Sequence, residues 1–267
     1  MLVQNRTIVV TGAGGGIGRA LVLHLLERGA KVAAVDINVT LLAKTKEKAA
    51  KYAERLTTHL VDITNRAAVE ASLEEIKAAH GAVDGLINNA GIIQPFVKIA
   101  DLEYAAIERV MNINFYGMLY MTKTYLPELQ SRLEGHIVNI SSMGGFLPVP
   151  GQTVYGASKA AVKLFTEGLW AELMNTSVRV TVVFPGAIAT NITANSGVAI
   201  PGGASAENSS FKALDPDKAA KLILDAMEAD KFRVCVGPDS SFLDILYRLM
   251  PKFAAKFIAK KMAALLK

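Results

Sequence analysis

Along most of this chain, short runs of aliphatic and β-branched residues alternate with amphipathic stretches. The apolar runs are TIVV at 7–10, KVAAVDI at 31–37, LTTHLVDI at 56–63 and VDGLIN at 83–88. They continue with HIVNIS at 136–141, RVTVVF at 179–184 and RVCVG at 233–237. Helical patterns fall between them, around 17–28, 39–54, 66–79, 101–126, 155–174 and 216–229. A strand whose apolar run is unbroken has both faces buried, and helices between such strands supply the covers. The pattern predicts an α/β fold: a doubly wound parallel seven-stranded sheet with helices on both faces. In that architecture ligands bind at the carboxyl ends of the strands.

Two segments leave the alternation. Residues 190–215 are rich in Gly, Ser, Asn and Ala and follow directly on a strand end, which predicts a long substrate lid. Residues 240–267 are helical in pattern and lie beyond the last strand. The expected organisation is one domain over 1–239 with an amphipathic, basic helical extension over 240–267.

Composition removes several classes. With 51% hydrophobic and 20% charged residues among 267, the chain suits a globular domain with a large core. The net charge of +5 tempts a nucleic-acid reading, but the extension alone carries six basic residues against Asp244, leaving the rest formally neutral. No basic groove interleaved with aromatics is present to stack bases. The start of the sequence shows no basic segment followed by an apolar core of about 7–15 residues, so no signal peptide is expected. The single cysteine, Cys235, sits in an apolar run and fits a reducing, cytoplasmic setting. His24, His59, His80 and His136 show no metal-ligand spacing, so no metal site is expected. No GxSxG elbow supports a hydrolase.

The first predicted strand runs into TGAGGGIG at 11–18 and then opens a helix. Gly12, Gly14, Gly15, Gly16, Ile17 and Gly18 thus form a turn whose backbone can approach a pyrophosphate at a helix N-terminus. Asp36 ends the second strand, 24 residues after Gly12. A carboxylate there accepts hydrogen bonds from a ribose 2′-hydroxyl and repels a 2′-phosphate. Position 15 is glycine rather than a basic residue, so both features favour NAD over NADP. Asp62 and Ile63, at the end of the third run, fall beside the expected adenine.

Taken together with NNAG at 88–91, Asn114 in NINFYG, Ser142 in IVNISS, YGASK at 155–159 and PGAIAT at 185–190, the chain resembles a short-chain dehydrogenase/reductase of the classical type. The resemblance runs from about residue 5 to 237, and Ser142 precedes Tyr155 by thirteen positions, a spacing familiar in that family. It implies that Tyr155 is the general acid or base at the substrate oxygen and that Ser142 orients the substrate. It implies further that Lys159 hydrogen-bonds the nicotinamide ribose and that Asn114 holds a water against the lysine. Asn88, Ala90 and Gly91 would shape the adenosine side, with Pro185, Gly186, Ile188 and Thr190 near the nicotinamide carboxamide. Homo-oligomers, dimeric or tetrameric through the helices around 101–126 and 155–174, are common in the family.

Residues four apart share a helix face, so Tyr155 and Lys159 are expected to point together into the cleft. A phenol has a pKa of about 10, and a nearby ammonium favours the phenolate; the expectation is a lowered tyrosine pKa. Phe96, Met143, Phe146, Leu147, Pro148, Val149 and Gln152 are the candidate pocket residues. Most are apolar, and the sequence places no evident Arg or Lys to clamp a carboxylate. A hydrophobic secondary alcohol or ketone, steroid-, retinoid- or lipid-like, is the expected substrate. A 3-oxoacyl-carrier-protein reductase-like enzyme is the alternative, and a non-catalytic nucleotide-sensing scaffold the second.

In the extension, Phe242, Leu243, Ile245, Leu246, Leu249 and Met250 are expected on one helical side, with Asp244 and Arg248 opposite. After Pro251, Lys252, Lys256 and Lys260 form a stripe opposed by Ile258, Met262, Leu265 and Leu266. Three roles are open for it: docking on its own domain or a sister subunit, covering a lipophilic entrance, or lying on an anionic membrane surface.

Overall fold

The computed structural model describes residues 1–198 and 213–263. Much of the expected lid, and Leu265, Leu266 and Lys267 of the extension, lie outside the described residues. Seven strands form one sheet: β1 (Thr7–Thr11), β2 (Lys31–Asp36), β3 (Leu56–Leu60), β4 (Gly85–Asn88), β5 (Gly135–Ile140), β6 (Val178–Pro185) and β7 (Arg233–Val236). Every pairing is parallel and the order is β3-β2-β1-β4-β5-β6-β7. The chain winds outward in one direction from β1 and, after returning to β4, in the other. Between β1 and β4 the connections leave on opposite faces, and a crevice opens at the strand ends.

Successive strand residues point to opposite faces, so an unbroken apolar run feeds two cores at once. Ile8 and Val10 pack with α1 (Gly16–Glu27), α2 (Val39–Lys48) and α8 (Pro216–Glu228). Val9 packs on the other face with α3 (Arg66–His80), α5 (Met118–Gln130) and α6 (Thr153–Leu173). A short α7 (Ile192–Ser196) follows β6.

Three elements depart from the sequence pattern, each for a local reason. The third strand stops at Leu60 rather than Ile63, because the Asp62 carboxylate accepts from the amide and hydroxyl of Thr64 and turns the chain. The helix expected over 101–126 is divided into α4 (Tyr104–Met111), a π-helical turn (Asn112–Gly117) and α5. The turn inserts a residue and aims Asn114 inward, the kind of irregularity found at functional sites. Finally, α2 gives way after Lys48 to a 3-10 segment, Ala50–Arg55.

Beyond β7 the chain forms two further helices, α9 (Pro238–Leu249) and α10 (Pro251–Met262), separated by the break at Met250–Pro251. Arg233 on β7 grips Asp244 of α9 with two hydrogen bonds, 2.8 and 2.9 Å. Leu147, Leu243, Ala254 and Ile258 form a third apolar cluster, joined by the half-buried Met143, Phe146, Val149, Leu246 and Met262. Fully burying one such leucine contributes about 2 kcal/mol. The hairpin of α9 and α10 is therefore seated on the loop after β5.

Candidate active site

A cleft of about 930 Å³ runs along the carboxyl ends of the strands. One end is built by the turn from β1 to α1. Gly12 and Gly16 hold positive φ, +65° and +51°, and a Cβ on Gly18 would collide with the Gly12 carbonyl. Only glycine lets this turn fold so tightly against the first helical turn. The Asp36 carboxylate, at the end of β2, accepts from the amides of Gly14 (2.8 Å) and Asn38 (2.9 Å). That fixes the carboxylate at the rim, where Ile37 beside it is 66% exposed and offers no cation for a phosphate.

Gly12, Gly15, Gly16, Ile17, Asp36, Asp62, Ile63, Ala90, Gly91, Pro185, Gly186, Ile188 and Thr190 all line this cleft. Gly14 and Gly18 shape the turn from behind. Asn88 corrects an expectation: its amide is turned away, donating to Thr122 (3.0 Å) and Asn139 (2.8 Å) between sheet and helix. Its neighbour Asn89 lines the cleft instead, bonded to the carbonyls of Thr11 and Gly12. Strand alternation decides this, since the last residue of β4 and the next point to opposite sides.

At the centre lie Ser142, Tyr155 and Lys159. Glycine at position 144 lets the tyrosine ring and the serine hydroxyl flank one spot: a Cβ there would lie 3.4 Å from the ring and 3.5 Å from Ser142 Oγ. Lys159 is 4% exposed and its Nζ donates to the Ile140 carbonyl at 3.0 Å. Burial brings its pKa down to about 8. For Tyr155, burial raises the pKa, opposed by a hydrogen bond with Ser142. The expected lowering by the lysine is thus not found: the ammonium is bonded to a main-chain carbonyl, and desolvation dominates the phenol.

Asn114, 1% exposed, does not line the cleft but stands just behind it. Its carboxamide exchanges hydrogen bonds with the amide and carbonyl of Ile92 (2.8 and 2.9 Å) and donates to Ser158 (3.0 Å). A Cβ on Gly91 would touch both Asn114 Oδ1 (3.2 Å) and Lys159 Nζ (3.0 Å), so the two groups border one small space. A carboxamide oxygen has two lone pairs, and only one is used by Ile92.

Gln94 was not legible as a site residue. It is fully buried, and its Oε1 accepts from the amides of Val154 (2.8 Å) and Tyr155 (2.9 Å), capping the helix that carries the tyrosine. Its Nε2 donates to Gly151 and its carbonyl accepts from Gln152, tying the loop before α6 together. No sequence spacing marks such a cap, because it arrives from a different strand loop. Asp239 is similar: it takes the amide of Ala187 at 2.7 Å and so anchors the β6 loop to α9.

The far end of the cleft is mixed. Phe96, Met143, Val149 and Gln152 line it, whereas Phe146 and Leu147 are spent in the cluster beneath the hairpin and Pro148 faces outward. Leu243, Ile258, Lys261 and Met262 of the hairpin complete the wall. Arg109 of α4 lines it as well and donates to the Ser196 carbonyl at 3.0 Å. The absence of a basic residue at this end is therefore corrected: two cations border it, from segments distant in sequence.

The family model for short chain dehydrogenases matches residues 6–199. SadH of Mycobacterium tuberculosis, provisionally named an oxidoreductase, is 37% identical over 270 residues, covering 97% of this chain and 96% of SadH. A short chain dehydrogenase from Burkholderia cenocepacia, solved in complex with NADP, superposes with a TM-score of 0.81 at 27% identity, over 97% of this chain and 99% of that one. In fold the chain is also like a short-chain dehydrogenase/reductase from Burkholderia phymatum solved with NAD, with a TM-score of 0.84 at 23% identity, over 95% and 96% of the two chains. The glycine turn, the strand-end cleft and the matching family span lead to one conclusion: the chain belongs to the short-chain dehydrogenase/reductase family of nicotinamide-dependent oxidoreductases.

Proposed function

We propose that the protein catalyses NAD-dependent interconversion of a hydrophobic secondary alcohol and its ketone, with Tyr155 as the proton carrier. The observation that carries this reading is the junction at Gly144, where Ser142 and Tyr155 meet between the glycine turn and an apolar wall. The cleft fits a dinucleotide: a helix N-terminus behind glycines for the pyrophosphate, and a rim carboxylate, Asp36, for the ribose. Nicotinamide supplies hydride transfer when bound; the side chains supply positioning and proton traffic.

In the reducing direction Tyr155 donates its proton to the substrate oxygen, and Ser142 donates a hydrogen bond to the same oxygen. A phenol pKa raised by burial keeps that proton in place at neutral pH. In the oxidising direction the phenol must first lose it, which alkaline conditions favour. Lys159, charged below about pH 8, would hold the nicotinamide ribose with its ammonium, and the space it borders with Asn114 would take a water that passes the proton on. Ordinary NAD preference follows from Asp36, with Ile37 and Gly15 offering nothing to a 2′-phosphate.

Arg109 and Lys261 favour a second reading, in which the substrate carries an anionic group beyond its apolar body, as a 3-oxoacyl thioester on a phosphorylated carrier does. Replacing Tyr155 by Phe tests the common core. Turnover of a lipophilic secondary alcohol should fall at least about 10³-fold, while NADH titration by fluorescence stays within about twofold. Retained turnover in Tyr155→Phe removes the phenol from the mechanism.

A further inference from the structure

The helix pair after β7 has more apolar surface than its inner face uses. Leu243, Ala254 and Ile258 are buried inward. On the opposite side Phe242, Ile245 and Leu249 stand 56%, 60% and 76% exposed at i, i+3 and i+7, forming a single stripe. Met250 and Phe253 extend it across the break between the helices. The one-sided apolar face expected for α9 is therefore divided: half covers the cleft and half faces outward. Such a contiguous outward ridge marks a contact surface.

Charge says what covers it. Lys252, Lys256 and Lys260 are all exposed, recur every fourth residue along α10 and make no ion pair among the described residues. The acids of the hairpin are not available to balance them. Asp239 is buried against Ala187, and Asp244 is held by Arg233 and Arg248. An apolar ridge flanked by unpaired lysines matches the boundary of an anionic bilayer, where hydrocarbon lies beneath negative headgroups. Among the described residues no helix is long and apolar enough to cross a membrane, so this is a surface contact.

We infer that α9 and α10 dock on an anionic phospholipid surface, with Phe242, Ile245, Leu249, Met250 and Phe253 entering the acyl boundary and the three lysines at the headgroups. The same hairpin turns Leu243, Ile258 and Met262 into the cleft. Under the proposed function, an apolar substrate thus reaches Tyr155 beside the bilayer; lipid binding itself does not depend on that reading.

Co-sedimentation with phosphatidylcholine vesicles, with and without one quarter phosphatidylserine, tests it. The full chain should sediment with the anionic vesicles, not with the neutral ones, and binding should weaken as salt rises. The combined change Lys252→Glu, Lys256→Glu and Lys260→Glu should weaken binding at least about tenfold. Leu249→Ser, at an already exposed position, should weaken it too. NADH titration and thermal melting show that both variants remain folded. Absence of binding to anionic vesicles at low salt overturns the inference, as does undiminished binding by the triple variant. Self-association of the wild type that Leu249→Ser abolishes, without any vesicle binding, also overturns it, because a second copy would then cover the ridge. Turnover of a water-soluble alcohol is measured in parallel, so loss of the substrate reading and loss of lipid docking register separately.

Discussion

One end of the cleft is built around main chain, the glycine turn of β1 and α1 and the loop at Ala90 and Gly91, with the Asp36 carboxylate at its rim. The other end is side chain, gathered from α4, the loop after β5 and the distant α9 and α10. Amides and a helix N-terminus suit a ligand that every member of a family shares. Side chains from late, separable elements can be exchanged without disturbing the sheet. The first end is thus tied to the fold, and the second is where one oxidoreductase differs from another.

Lys159 sits where the two ends meet, and replacing it by Met breaks the comparison most severely. Turnover should fall by about 10²–10⁴. Stability should move the other way. The folded-state pKa of about 8 lies below the ordinary lysine value of about 10.4, so holding the ammonium buried is a cost that is fully present below pH 8. The cost fades as pH rises toward the unfolded pKa, because the unfolded chain then binds more protons than the folded one. At pH 7 it amounts to about 3 kcal/mol, offset by about 1 kcal/mol for the lost bond to Ile140. Lys159→Met should therefore melt several degrees higher than the wild type at pH 7, with the gap closing toward pH 10. A lower melting temperature at pH 7 would show that the buried ammonium is stabilised by groups other than Ile140.

Asp36→Ala acts at the main-chain end alone. It removes the acceptor for the ribose hydroxyl and the negative charge that opposes a phosphate. A hydrogen bond to a charged group contributes about 1.5–3 kcal/mol, so the NAD to NADP ratio of kcat/KM should drop by roughly 10- to 100-fold. The amides of Gly14 and Asn38 also lose their acceptor, so NAD affinity itself should weaken. The KM for the alcohol should barely change. An unchanged cofactor ratio would take Asp36 out of the selectivity.

The same division explains what the sequence made legible. The seven strands are legible as unbroken apolar runs, the glycine turn and the Tyr155–Lys159 pair as local spacing, and Ser142 through the family resemblance; the structure brings Ser142, Tyr155 and Lys159 to one cleft. Asn88 and Asn89 are adjacent, and composition could not say which one looks into the cleft; the register of β4 does. Gln94 caps α6 from another loop, and Asp239 braces the β6 loop from beyond β7. Neither leaves a trace in local pattern. The tyrosine's titration was misjudged for a related reason: the spacing of Tyr155 and Lys159 is visible in sequence, but the carbonyl of Ile140 that takes the ammonium is not.

Arg109 and Lys261 sharpen the side-chain end with the gentlest change. Each lines the cleft from a solvent-exposed position, so replacing both by Gln removes the charges, at the cost of the Arg109 bond to the Ser196 carbonyl. If the substrate is an uncharged lipophilic ketone, its KM should stay within about twofold, because exposed charges contribute about 0–1 kcal/mol to a neutral partner's surroundings. If the natural substrate carries a carboxylate or phosphate, the same double variant should raise its KM by about tenfold, and added salt should mimic the effect in the wild type. A matched pair, a long-chain secondary alcohol and its ω-carboxylate, read in both proteins, separates the outcomes. The apolar wall of Leu243, Ile258 and Met262 is common to both compounds, so only the charge at the end is compared.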